Sequence, residues 1–147
     1  MIDSAGDDDF GLYVNGGYGL SRGLDVNARL GLGFEETYFG FDLEYILRGI
    51  SPYISVSGGG HMWGDPGLDA TLNFTFPLNK QLHLYSGLDM DMNFVEVGDQ
   101  DETLTPAWFF LGCEVAFKKK MTLMFEMDLD INDDAYSIFN FGVNFYL

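Results

Sequence analysis

Positive charge is scarce in this chain. Seven lysines and arginines face 23 aspartates and glutamates across 147 residues, a net charge of −16. A phosphate backbone attracts basic patches, so nucleic acid is excluded as a partner. The single cysteine, Cys113, excludes an internal disulfide framework. Long hydrophobic runs are missing too. The longest are a few residues, such as Ala107 to Leu111, far short of the roughly 20 that a membrane-crossing helix needs. No basic stretch followed by an apolar one opens the chain. Met1-Ile2-Asp3 leads straight to Asp7-Asp8-Asp9, so the chain reads as cytoplasmic, or as a mature form with an added Met.

What is present is apolar and aromatic. Hydrophobic residues make up 47% and aromatics 16%, and there are 19 glycines. So much apolar surface excludes a disordered acidic chain. The length suits one domain. We divide it into an acidic tail or loop remnant over 1–9 and a folded unit over 10–147.

The dominant period is two. From Leu24 to Phe34, Leu24, Val26, Ala28, Leu30, Leu32 and Phe34 share one face, and Asp25, Asn27, Arg29, Gly31 and Gly33 share the other. A helix would mix these sets, whereas a strand separates them. The same split recurs in Phe10 to Leu20, Phe39 to Leu47, Tyr53 to Trp63, Leu68 to Phe76, Leu82 to Phe94, Trp108 to Phe117, Met121 to Ile131 and Ile138 to Leu147. Nine strand-like segments of about ten residues result, with no room between them for crossover helices. The expected fold is all-β, an antiparallel barrel of 8–10 strands.

The polar face indicates which solvent surrounds the apolar one. It carries no lysine and one arginine, Arg29, and it is rich in glycine: Gly17, Gly31, Gly40, Gly59, Gly87, Gly112 and Gly142 among others. A water-facing sheet surface is usually rich in Lys, Glu and Thr. Small residues suit the crowded inside of a narrow barrel. The apolar face is large, aromatic and unbroken, as lipid would favour. Ten-residue segments match the roughly 9–11 needed by a tilted strand crossing a bilayer, and closure satisfies every backbone group. Aromatics such as Tyr18, Tyr45, Tyr53, Trp63, Phe76 and Trp108 fall near segment ends, as interfacial girdles require.

The connections alternate. Short ones at 21–23, 48–52, 78–81 and 118–120 hold six of the seven basic residues. The others, at 35–37, 64–67, 95–106 and 132–137, together with the tail, hold 13 acids. This pattern, over residues 10–147, resembles that of bacterial outer-membrane β-barrel proteins. The C-terminal stretch is the most specific part. Asn140, Gly142, Phe145 and Leu147 resemble the assembly signal of that family, although its usual final residue is Phe. The resemblance implies the bacterial outer membrane as location, membrane lipid as surroundings and the barrel-assembly machinery as a partner. With the C-terminus on the periplasmic side, nine strands is an odd count where even counts are usual. A segment that does not cross, a strand missing before Met1 or supplied by a partner, or parallel pairing of first and last strands would each resolve it. The missing strand is the expected solution.

The inward acids are Asp25, Asp42, Glu44, Asp69, Asp89, Asp91, Glu114, Glu126, Asp128 and Asp130, offset by Arg29 and two histidines. Unpaired buried charge is costly, so the lumen is expected to be wet, to bind cations, or to hold a basic plug. These residues form the expected ion path, and Asp89, Asp91, Asp128 and Asp130 are expected near one mouth. No cofactor, metal or catalytic residue is expected. The run 128–134 has Asp133 where a calcium loop needs glycine. His61, near Trp63 and Asp65, reads as a rim residue. Cys113 reads as an apolar filler. The expectation is a non-enzymatic barrel, either a narrow cation-favouring pore or an envelope structural component. The alternatives are a lipid-modifying barrel enzyme and a soluble lipocalin-like binding barrel.

Overall fold

A computed structural model describes residues 12–32, 37–47, 52–97, 100–133, 135 and 137–146. The described residues contain ten strands and no helix. They are β1 (Leu12–Ser21), β2 (Leu24–Leu32), β3 (Tyr38–Leu47), β4 (Tyr53–Trp63), β5 (Asp65–Pro77), β6 (Leu82–Val97), β7 (Gln100–Leu104), β8 (Ala107–Lys118), β9 (Met121–Asp130) and β10 (Ile138–Tyr146). Nine of them close into a barrel, in the order β1-β2-β3-β4-β5-β6-β8-β9-β10. The tenth, β7, pairs only with the far end of β6.

Each neighbouring pair along the chain is antiparallel, because the connections are too short for a crossover. Two turns depend on glycine. Gly23 between β1 and β2 has φ 92°, and Gly64, the lone residue between β4 and β5, has φ 67°. Side chains with a Cβ are strained there. At the β5–β6 turn, Asn79 Oδ1 accepts hydrogen bonds from the backbone N–H of Gln81 (2.8 Å) and Leu82 (3.0 Å), a side chain standing in for a backbone turn.

The barrel closes by a parallel seam. Val14 to Gly17 of β1 lie opposite Val143 to Tyr146 of β10. No missing strand is needed, which corrects the expected solution of the odd count. Parallel pairing is open to these two strands because the intervening chain circles the whole barrel and returns to the same end. The segment Tyr53 to Trp63 is a full wall strand, β4, paired with β3 and β5 despite its three consecutive glycines. The stretch 95–106, expected as one long loop, is instead mostly the β6–β7 ribbon, whose residues pair one by one from Asn93–Leu104 to Val97–Gln100.

The stagger of the barrel follows from the registers. A line at right angles to the strands runs from Asn93 through Gly67, His61, Gly40, Arg29, Asn15, Asn144, Thr122 and Ala116. It re-enters β6 beside Gln81, twelve positions before Asn93, where Ala116 N–H donates to the Gln81 carbonyl. For nine strands this stagger requires a tilt of about 40–45° and a backbone radius of about 9–10 Å.

Side chains alternate between two surfaces. One holds Phe39, Phe41, Leu43, Tyr45, Leu88, Met90, Phe109, Leu111, Phe125, Phe139 and Phe141, all exposed. The other faces the lumen. Among the described residues, 33 large hydrophobic side chains are exposed and only two, Tyr85 and Phe110, are buried. The usual arrangement of a globular domain is reversed.

Candidate functional site

Charged residues from several strands face one another across the inside of the barrel. Arg29 on β2 lies in electrostatic reach of Asp42 on β3, Asp89 on β6 and Glu126 on β9. Only the lumen connects these strands, so the polar face lines it. Arg29 sits opposite Gly40, diagonal to Asp42, a spacing that a long side chain spans. Its side chain points inward and is not closely packed by its neighbours. Among the described residues no carboxylate lies within 4.0 Å of its guanidinium.

The surrounding acids are held by neutral donors. Asn27 Nδ2 donates to Asp42 (2.9 Å), Thr71 Oγ1 donates to Asp89 (2.6 Å), and Asn140 Nδ2 donates to Asp128 (2.6 Å) and, at 3.4 Å, to Glu126. Such contacts fix carboxylate orientation without neutralising charge. Asp128 lies in reach of Glu126 and Asp89, so these acids share one field.

Towards the acidic-loop end, His61 is the hub of a second cluster. It was read as a rim residue near Asp65, but it is buried, 8% exposed. Its Nδ1 lies 3.2 Å from Asp69 Oδ2 and its Nε2 lies 2.7 Å from Asn93 Oδ1. The Tyr38 ring stacks on it at 5.6 Å. The His61 ring occupies the space that a Cβ on Gly67 would fill. His61, Gly67 and Asn93 lie level across β4, β5 and β6, and Gly67, having no side chain, lets the other two meet over β5. Asp69 and Asp91 are directly opposite across β5 and β6, and like charges so placed repel. His61 lies in reach of both.

The remaining acids lie apart. Asp25 and Glu44 oppose each other near the basic-turn end. Glu114 faces His83 in register on β8 and β6. Asp130 is exposed at the opposite end, where the Ser137 hydroxyl donates to it. Of the four assembly-signal residues, Asn140 points inward to the acids, Gly142 packs against Met124 and Phe145 is exposed on the apolar face. Leu147 lies outside the described residues. Cys113 shares the outer face with Leu84 and Phe125, its register partners.

Sequence reasoning missed an aromatic pair inside the lumen. Tyr85 and Phe110 are each 7% exposed, with ring centroids 6.1 Å apart. Their register partners are Gly112 and Gly87, and each ring lies over the glycine opposite. The Tyr85 hydroxyl lies beside Glu126 but makes no hydrogen bond of ordinary geometry. Part of the signal was present: Tyr85 and Phe110 fall on the polar face by parity, while the glycine opposite each follows from the register. Trp108, assigned to an interfacial girdle, also falls on the inner face, opposite Asp89 and Asp130. Comparison with family models, curated proteins and solved structures finds no match.

Proposed function

We propose that the protein is an integral barrel of the bacterial outer membrane whose acidic, solvent-admitting lumen favours cations. The observation that carries this reading is the reversal of polarity: 33 exposed large hydrophobic side chains against two buried. Exposed apolar patches on soluble monomers rarely exceed a few hundred Å², and a band around every strand needs a partner that encircles the barrel. Lipid does so without specific contacts. A soluble binding barrel would place its apolar side chains on the inside. The nine wall strands, 9–16 residues long, suffice to cross. The C-terminal strand, with Asn140, Gly142 and Phe145, supports delivery by the barrel-assembly machinery.

Inside, many carboxylates share the lumen with Arg29. A negative potential in a narrow tube with low-dielectric walls concentrates cations and repels anions. The test is the reversal potential in a planar bilayer under a KCl gradient. Cation preference is expected, weakening towards 1 M salt as the screening length falls to about 3 Å. The fourfold variant with Asn at Asp89, Asp91, Asp128 and Asp130 should lose most of it. Anion preference, or preference unchanged in that variant, refutes the ion path. An absence of conductance favours a structural barrel closed by the Tyr85–Phe110 pair.

A further inference from the structure

We infer that the turns at the basic end of the barrel form a belt that binds the headgroups of anionic phospholipids. This names the class of lipid that the outer-membrane reading leaves general, and it rests on that reading for the acyl chains beside the belt.

Chain direction collects the cations. Strands β1, β3, β5, β8 and β10 run one way and the wall strands between them run back, so the β1–β2, β5–β6 and β8–β9 turns share one end. Arg22, Lys80, Lys118, Lys119 and Lys120 lie in or beside these turns, and all five are exposed. The turns themselves, at 22–23, 78–81 and 119–120, hold no acid. On the flanking strands, Asp25 and Glu114 belong to the lumen face. Among the described residues no carboxylate lies within 4.0 Å of any of the five cations. The described residues at the opposite end include Asp65, Glu102, Asp130 and Asp133 but no lysine or arginine.

Each group of cations stands beside an exposed apolar side chain. Leu20 lies two positions before Arg22, Leu78 two before Lys80, and Phe117 immediately before Lys118. Lys118 Nζ lies 5.8 Å from the centroid of the Phe117 ring. Phe117 is on the outer face, so this charge is held at the outer surface and away from the lumen. A phospholipid offers the matching order of chemistry, with acyl chains along the apolar band and a phosphate just past its edge. Long basic side chains reach such a layer by laying their stems on apolar surface. The three turns follow the first, fifth and seventh wall strands, so they lie at separate points of the circumference. A ring of lipid around the barrel reaches all three, whereas a protein docked on one side does not.

The experiment refolds the full chain in micelles and adds equal amounts of phosphatidylglycerol and phosphatidylcholine with the same acyl chains. The lipid that stays with the protein through gel filtration is then quantified. A net charge of −16 would by itself repel anionic lipid, so a preference for it reports the basic rim. Phosphatidylglycerol should be retained on the order of tenfold over phosphatidylcholine, because each Lys or Arg near an anionic headgroup layer contributes up to about fivefold. Gel filtration of the wild type in 1 M salt should erase the preference, as the screening length falls to about 3 Å. The variant with Arg22→Gln, Lys80→Gln, Lys118→Gln, Lys119→Gln and Lys120→Gln should retain both lipids equally. Equal retention by the wild type overturns the inference and leaves the membrane reading standing, and so does a preference that survives 1 M salt or the fivefold variant. Displacement of phosphatidylglycerol by polyglutamate, or by inorganic phosphate at constant ionic strength, would give the turns to an acidic polypeptide or a free anion and also overturns it. Retention of neither lipid refutes both readings.

Discussion

Gly87 and Gly112 show how single atoms set the interior of this barrel. A Cβ on Gly87 would collide with the Leu72 carbonyl oxygen and the Phe110 ring, and one on Gly112 would collide with the Tyr85 ring and sit 2.7 Å from the Phe125 carbonyl oxygen. Backbone oxygens cannot move aside as a flexible side chain can. Gly16, on the outer face, has nothing within 4 Å of its Cβ position. Gly87→Ala should therefore destabilise by about 1–3 kcal/mol, the usual cost of overpacking. Gly16→Ala should change stability by less than about 1 kcal/mol, in either direction. Urea unfolding of the two variants in the same micelles checks the difference, and equal values would contradict the placement of the rings. The two glycines were visible on the polar face of the sequence. Their aromatic partners lie on another strand, so only the register discloses the contact.

The weakest element contact is the seam. The parallel β1–β10 pairing spans four residue pairs, while β4–β5 and β5–β6 each span eleven. Parallel pairing is also slightly less stable per residue. Its existence is open to a direct test. In a Cys113→Ser background, Val14→Cys with Val143→Cys should form a disulfide on mild oxidation, because register partners lie within the Cα separation of less than about 7 Å that a bridge tolerates. A gel shift sensitive to reductant reports it. A barrel closed by a further strand would keep these positions apart and give no cross-link. The faces of the strands give a second test. Arg in place of Phe41 or Phe125 should cost about 2–4 kcal/mol of stability in a bilayer, since both are mid-strand and outward. Asn73→Ser, inward and making only a 3.5 Å hydrogen bond to Thr75, should cost far less. Similar costs for the two sets would mean that the faces are exchanged.

At the scale of the molecule, charge and apolar surface are sorted in three dimensions. Among the described residues, acids line the lumen, Arg22, Lys80, Lys118, Lys119 and Lys120 lie in or beside the turns at one end, and hydrophobic residues form the outer band. A chain so arranged should not be a monodisperse monomer in plain buffer. Refolding should require detergent or lipid, and the folded form should migrate differently from the boiled form on a gel. Sedimentation and a heat-modifiability gel measure both. A soluble monomer without detergent would overturn the membrane reading.

The sequence by itself determined the strands and their two faces. Alternation is a local property: Leu30 and Arg29 must point in opposite directions whatever else the chain does. It also determined that one face would be acidic and rich in glycine. Its turn chemistry at Gly23 and Asn79 is equally local. Closure was decided only by the tertiary structure. The stagger accumulates over nine registers, and no segment carries it, so the parallel seam and the extension of β6 past the barrel rim were hidden. Closure also brings Arg29 into reach of Asp89 and Glu126, while His61 meets Asn93 across β5 because Gly67, level with both, has no side chain. Parity says that a side chain faces the lumen. Tilt and stagger decide which other side chains it meets there, because on a barrel wall inclined by about 40–45° neighbours in register stand at different heights along the axis.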